Sequence, residues 1–175
     1  GHKGKAQVRI ITNGISAHGS APEKGKNAVY EMAEIIQRVE QLNKNLMARG
    51  KGGTVVLSDI SCVAASLNAV PSQCSIYLDR RLGNGETLDQ VKAEMDALIA
   101  GKDAHWEVGT LVHTSWKGEE LRYEPMHDPW EISKDHPLTV ALRRAVETVT
   151  GTPVTKYDFW DFGTNAVTPI SLGIP

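Results

Sequence analysis

Residues 54–79 read TVVLSDISCVAASLNAVPSQCSIYLD and hold two strand-like runs in succession. Thr54 to Ile60 is β-branched and apolar, as a strand requires. After a loop punctuated by Pro71, Cys74, Ile76 and Leu78 alternate with Ser75, Tyr77 and Asp79, the period of a strand with one apolar face. A helical pattern stands on either side. Upstream, Ala28, Val29, Met32, Ile35, Ile36, Val39 and Leu42 recur at three- and four-residue steps. Downstream, Thr87-Leu88-Asp89-Gln90 fits a capping box, and the helix it opens carries Leu88, Val91, Met95, Leu98 and Ile99 on one face before Gly101 closes it.

Two outer strands complete the pattern. Ala6, Val8 and Ile10 alternate with Gln7, Arg9 and Ile11 at the front, and Trp106, Val108 and Val112 supply a fourth strand at the back. The order β-α-β-β-α-β predicts an α+β fold, a ferredoxin-like two-layer sandwich with a four-stranded antiparallel sheet and two helices. Its helices cover one sheet face only, so the other serves a ligand, a partner or solvent.

Beyond Thr114 the composition turns irregular, with Trp116, Glu119-Glu120, Pro125, His127, Pro129 and Trp130, which places a domain boundary near Ser115. Residues 1–115 are expected to form one domain and residues 116–175 a piece of a second, α/β in type and incomplete. A third helix begins at His136 or Asp135, with Pro137 in its first turn, and ends at Gly151. Its Leu138, Leu142 and Val146 need a cover. The apolar run from Ala166 to Ile174 meets Pro175 with no capping signal, as if a following strand were cut off.

Charge narrows the function. Lys plus Arg nearly balance Asp plus Glu, for a net charge of −2, so no bulk field gathers nucleic acid or an anionic membrane. The expected partners include neither. Cys62 and Cys74 stand on strands without a Cys-x-x-Cys or His/Cys cluster, so buried, reduced thiols are expected. With no apolar run long enough for a signal or a membrane span, the expected location is the cytoplasm.

His18 lies among small residues in Ser16-Ala17-His18-Gly19-Ser20, on the loop between the first strand and first helix. Small neighbours leave an imidazole accessible, able to donate to a developing oxyanion or to carry a proton; an ordinary exposed loop histidine is the plainer alternative. Strand parity sends Arg80 to the apolar face and Arg81 to the open face with Tyr77 and Asp79. Taken alone, Arg81 is a solvated charge pairing Asp79, and Asn68 a turn residue before Pro71.

These segments together resemble a known family. Ser-Ala-His-Gly-Ser around His18, followed by Pro22, Gly25, Asn27 and Ala28, is similar to the lid-domain signature of the zinc aminoacylases and deacylases, the family of acetylornithine deacetylase and succinyl-diaminopimelate desuccinylase. Asn68 to Pro71 resembles its N-x-x-P loop, and Asp79-Arg80-Arg81 its D-x-R strand end. Gly163-Thr164-Asn165 and Gly173-Ile174-Pro175 resemble its G-T-D and G-I-P elements, with Asn165 standing where the family carries an acid. Asp158 to Asn165 looks nearest the selenium-metabolism-linked hydrolase subgroup.

The resemblance implies a homodimeric, metal-dependent amide hydrolase for small N-acyl amino acids or dipeptides bearing a carboxylate. In it His18 stabilises an oxyanion in the partner subunit's site, while Asn68, Arg81 and Thr164 bind substrate. Two zinc ions, or cobalt or manganese, belong to the full-length enzyme, with ligands outside this chain. Glu119-Glu120 follows the lid rather than preceding it and takes no metal role. His105 and Glu107 share one face of an alternating strand and read as solvated, and His127-Asp128 reads as either a lone metal contact or a turn before Pro129. This chain alone would be inactive. The competing reading is a stand-alone ferredoxin-like module that dimerises or binds a ligand through its bare face without catalysis.

Overall fold

The computed structural model describes residues 1–50 and 52–174. Pro175, the last residue of the Gly173-Ile174-Pro175 element, therefore lies outside the described residues.

Among the described residues, seven strands and four α-helices follow in order: β1 (Gly4–Asn13), α1 (Ala28–Ala48), β2 (Thr54–Val63), β3 (Gln73–Leu82), α2 (Leu88–Ile99), β4 (Ala104–Val108), β5 (Leu111–Thr114), β6 (Glu120–Tyr123), β7 (Met126–His127), α3 (Pro137–Thr150) and α4 (Val167–Ser171). The first four strands form an antiparallel sheet in the order β2-β3-β1-β4, and β7 lies beside β1 next to β4. This is the ferredoxin-like sandwich that the β-α-β-β-α-β pattern predicts.

Alternation decides which side is packed. Ala6, Val8 and Ile10 of β1 and Ile76, Leu78 and Leu82 of β3 are buried against Met32, Ile35 and Val39 of α1 and Val91, Met95 and Leu98 of α2. Asn27 caps α1 by accepting from the Val29 amide at 2.9 Å, and Thr87 with Gln90 forms the expected capping box on α2.

Two expectations need correction. Val112 does not extend β4: the chain leaves the sheet at Gly109, where Tyr77 occupies the space a Cβ would take, and Val112 sits in β5, paired with β6 in a separate hairpin. Ser115 falls in the turn of that hairpin, where its carbonyl and amide bond Gly118 and Glu119. Cys74 is buried but Cys62, directly opposite it, is exposed, because β2 is the outermost strand and its burial fails beyond Leu57. The run from Ala166 opens into the short helix α4.

His136, not Asp135, caps α3 by accepting from the Leu138 amide, and Gly151 ends it in the left-handed conformation at φ 66°. No residue of α3 is buried, and Leu138, Leu142, Val146 and Val149 are exposed.

Candidate functional site

The loop leaving β1 is stitched to the loop between β2 and β3. The Val70 amide donates to the Ala17 carbonyl at 2.8 Å and the Gly19 amide to the Asn68 carbonyl at 2.6 Å. Only glycine allows that approach, since a Cβ at position 19 would lie 2.8 Å from the Asn68 oxygen. The seam fixes His18 beside Asn68 with its ring exposed.

Hydrogen bonding selects the tautomer of His18. The Ser20 amide donates to Nδ1 at 3.2 Å, and the Ser20 hydroxyl is 2.7 Å from the same nitrogen. A backbone amide can only donate, so Nδ1 carries the lone pair and the proton of the neutral ring resides on Nε2. The Asn68 amide lies 3.3 Å from Nε2 through Nδ2, while its Oδ1 is 2.6 Å from the Ser66 hydroxyl. An Nε2–H facing that amide favours the flipped orientation, with the carbonyl toward His18 and the NH2 toward Ser66. The outer edge of His18 is then an N–H donor held by one neutral partner.

Arg81 and Thr164 occupy the other end of the sheet. Arg81 lies opposite Lys5 on β1 and Thr54 on β2, and its Nη2 pairs Asp79 at 2.8 Å. The Thr164 hydroxyl accepts from the Ala166 amide at 3.2 Å at the entry to α4. Arg81, Thr164, Lys5 and His127 line one open cleft of about 460 Å³. Burial pushes the His127 imidazole below its usual range against a hydrogen bond to the Asp128 carbonyl; the charges of His2, Lys5 and Arg81 push it the same way.

The four site residues read from the sequence thus fall into two pairs. Eight strand positions separate Gln73, near the His18 seam, from Arg81, roughly 26 Å at about 3.3 Å per residue. One small substrate cannot touch both ends of a single chain. Lys5 was missed by sequence reasoning, and His127 was weighed only as a metal contact or a turn residue: parity places Lys5 on the open face, but only strand register sets it against Arg81 and His127.

The remaining candidates resolve locally. Asp128 accepts from the Leu88 amide at 3.0 Å at the start of α2, and His127 Nδ1 is 3.2 Å from the Asp128 carbonyl, so both make structural hydrogen bonds at the end of β7. His105, Glu107, Glu119 and Glu120 are exposed. Among the described residues, no group of three or more His, Cys, Asp or Glu side chains is disposed to hold a metal ion. The described residues do not fit a two-metal centre.

Comparison with known proteins agrees with the fold. The chain is 36% identical to the Escherichia coli protein YgeY over 182 residues, covering all of this chain and 44% of that protein. It is 27% identical to an acetylornithine deacetylase from Proteus mirabilis, covering 82% of this chain and 36% of that enzyme. It superposes on a Bacillus cereus aminopeptidase PepT with a TM-score of 0.65 at 19% identity, covering 99% of this chain and 42% of that one. On an M20 family metallo-carboxypeptidase from Sulfolobus solfataricus the TM-score is 0.62 at 16% identity, with 99% and 49% covered. The chain spans less than half the length of each. The profile of the peptidase dimerisation domain matches residues 1–107, and the chain belongs to that domain family of the M20 metallopeptidases and deacylases.

Proposed function

We propose that this chain is the dimerisation and lid portion of a cytosolic, metal-dependent amide hydrolase acting on small N-acyl amino acids or dipeptides with a free carboxylate. The metal ions, two zinc or their cobalt or manganese equivalents, would be held by residues outside this chain and would activate water and polarise the scissile carbonyl. The chain contributes donors. His18 offers its Nε2–H to the oxyanion, Asn68 orients that ring, and Arg81 with Thr164 takes the carboxylate.

The observation that carries this reading is the separation of the two pairs, because a site divided between the ends of one sheet is reunited by self-pairing. The outer edge of β2 has no strand partner among the described residues, and it exposes Val56, Ile60 and Val63 with Asp59 as its only charge. A ten-residue apolar edge with so little protection is suited to pairing. A two-fold axis at that edge sets β2 antiparallel to its copy, so the Val63 end of one lies beside the Thr54 end of the other. The His18 and Asn68 seam of one subunit then approaches the Arg81 and Thr164 cleft of its partner.

The test is His18→Ala in the enzyme that carries this chain. Turnover should fall by about a hundred- to thousand-fold, the value of one oxyanion donor, with metal content unchanged. Turnover equal to the wild type would refute the role.

A further inference from the structure

The open face at the Arg81 end carries a row of basic side chains in register. Arg81 on β3 lies directly opposite Lys5 on β1, and Lys5 lies opposite His127 on β7. Cross-strand partners share a sheet face, so the three side chains project to one side. Two like charges directly opposite destabilise a sheet, and this pair persists with little compensation. Asp79 pairs Arg81, but among the described residues no carboxylate pairs Lys5, a half-buried residue whose ammonium rests over the Tyr123 ring at 5.2 Å.

No acidic side chain among the described residues lines the cleft above this row. Lys5 and Arg81 bring two positive charges and Asp79 removes one, leaving a single uncompensated charge beside the neutral form of His127. Neutral donors complete the wall: the Thr164 hydroxyl, whose oxygen already accepts from Ala166, keeps its proton for a ligand, and Asn165 adds an amide. His127 spends Nδ1 on the Asp128 carbonyl and turns Nε2 toward Gly163, where a Cβ would stand 3.0 Å from it.

We propose that Lys5 is the second cation of a carboxylate subsite, placed with Arg81 so that one carboxylate bridges the two strands while His127 forms its floor. The inference rests on the reading of Arg81 as a carboxylate-binding residue and adds a positioning partner and a charge selectivity: one singly charged carboxylate, in preference to an uncharged amide. A carboxylate bound between them relieves the cross-strand repulsion. It also places negative charge beside His127, whose surrounding charged groups, His2, Lys5 and Arg81, otherwise disfavour its protonation.

N-acetylglycine, its uncharged amide and histidine-resolved NMR of this chain test the inference. N-acetylglycine should shift the His127 resonances and raise their titration midpoint. The amide should do neither. Lys5→Gln should weaken the response about ten-fold or more, as loss of a charged hydrogen-bond partner implies, and Lys5→Arg should restore it. Its thermal midpoint should hold or rise, since a like-charge pair is relieved, so a fall in binding is not a fall in folding. Binding by Lys5→Gln equal to wild type, with Arg81→Gln losing it, would remove Lys5 and leave the Arg81 reading standing. Undiminished binding in both variants, or no His127 response in the wild type, would overturn both.

Discussion

The guanidinium of Arg80 is held inside the sandwich by two carboxylates, Glu86 at 3.0 Å through both Nη atoms and Glu94 at 2.9 and 3.1 Å, while Glu86 also accepts from the Gly83 amide at 2.8 Å. Parity in the sequence sends Arg80 inward and Arg81 outward, and both positions are as that pattern requires. The partners of Arg80 were not legible, because Glu86 and Glu94 come from a turn and a helix whose approach depends on tertiary packing. Arg80→Met should cost about 3–5 kcal/mol by leaving two carboxylates without their cation, measured by chemical denaturation. Burial alone would raise Glu86, but the hydrogen bonds from Arg80 and Gly83 and the Arg80 charge hold its carboxyl below its ordinary value of 4.5. A depressed folded-state carboxyl stabilises above that ordinary value and loses the contribution as pH falls through the folded one. The thermal midpoint should therefore drop below about pH 4.5, and the drop should be shallower in Arg80→Met, where the Arg80 share of the depression is gone.

At the scale of elements, β2 is the edge proposed to join fold to assembly. Its inner edge pairs β3 over its full length with an irregularity between Leu57 and Asp59, and its outer edge is unprotected. Ile60→Lys places a charge on that edge at a position already half exposed, so the monomer should lose less than about 0.5 kcal/mol while sedimentation shows the dimer dissociated. A variant that sediments as the wild type would exclude this edge. The two helices and the first three strands were legible because each has a long periodic run and a chemical stop. The fourth strand was legible but its end was not: Val112 continues the alternation of Trp106 and Val108, and only the Tyr77 side chain packed over Gly109, with its hydroxyl donating to that carbonyl at 2.9 Å, reveals the break. Cys62 was misjudged for a related reason, since a strand pattern specifies a face but not whether an element covers it.

At the scale of the molecule, the candidate site is legible as residue types and illegible as an arrangement. His18, Asn68, Arg81 and Thr164 stand in motifs, but their division between two ends of a sheet emerges only from register. Under the proposed function, that division leaves a single chain without a whole set of substrate contacts, and a two-fold pair would let each subunit give its seam to the partner and keep its own cleft. Co-expression of His18→Ala and Arg81→Gln forms of the enzyme tests this most directly. Half the dimers are mixed and one of the two sites in each mixed dimer is whole, so activity should return to about one quarter of wild type. A mixture no more active than the average of its two parents would contradict a site built from both subunits.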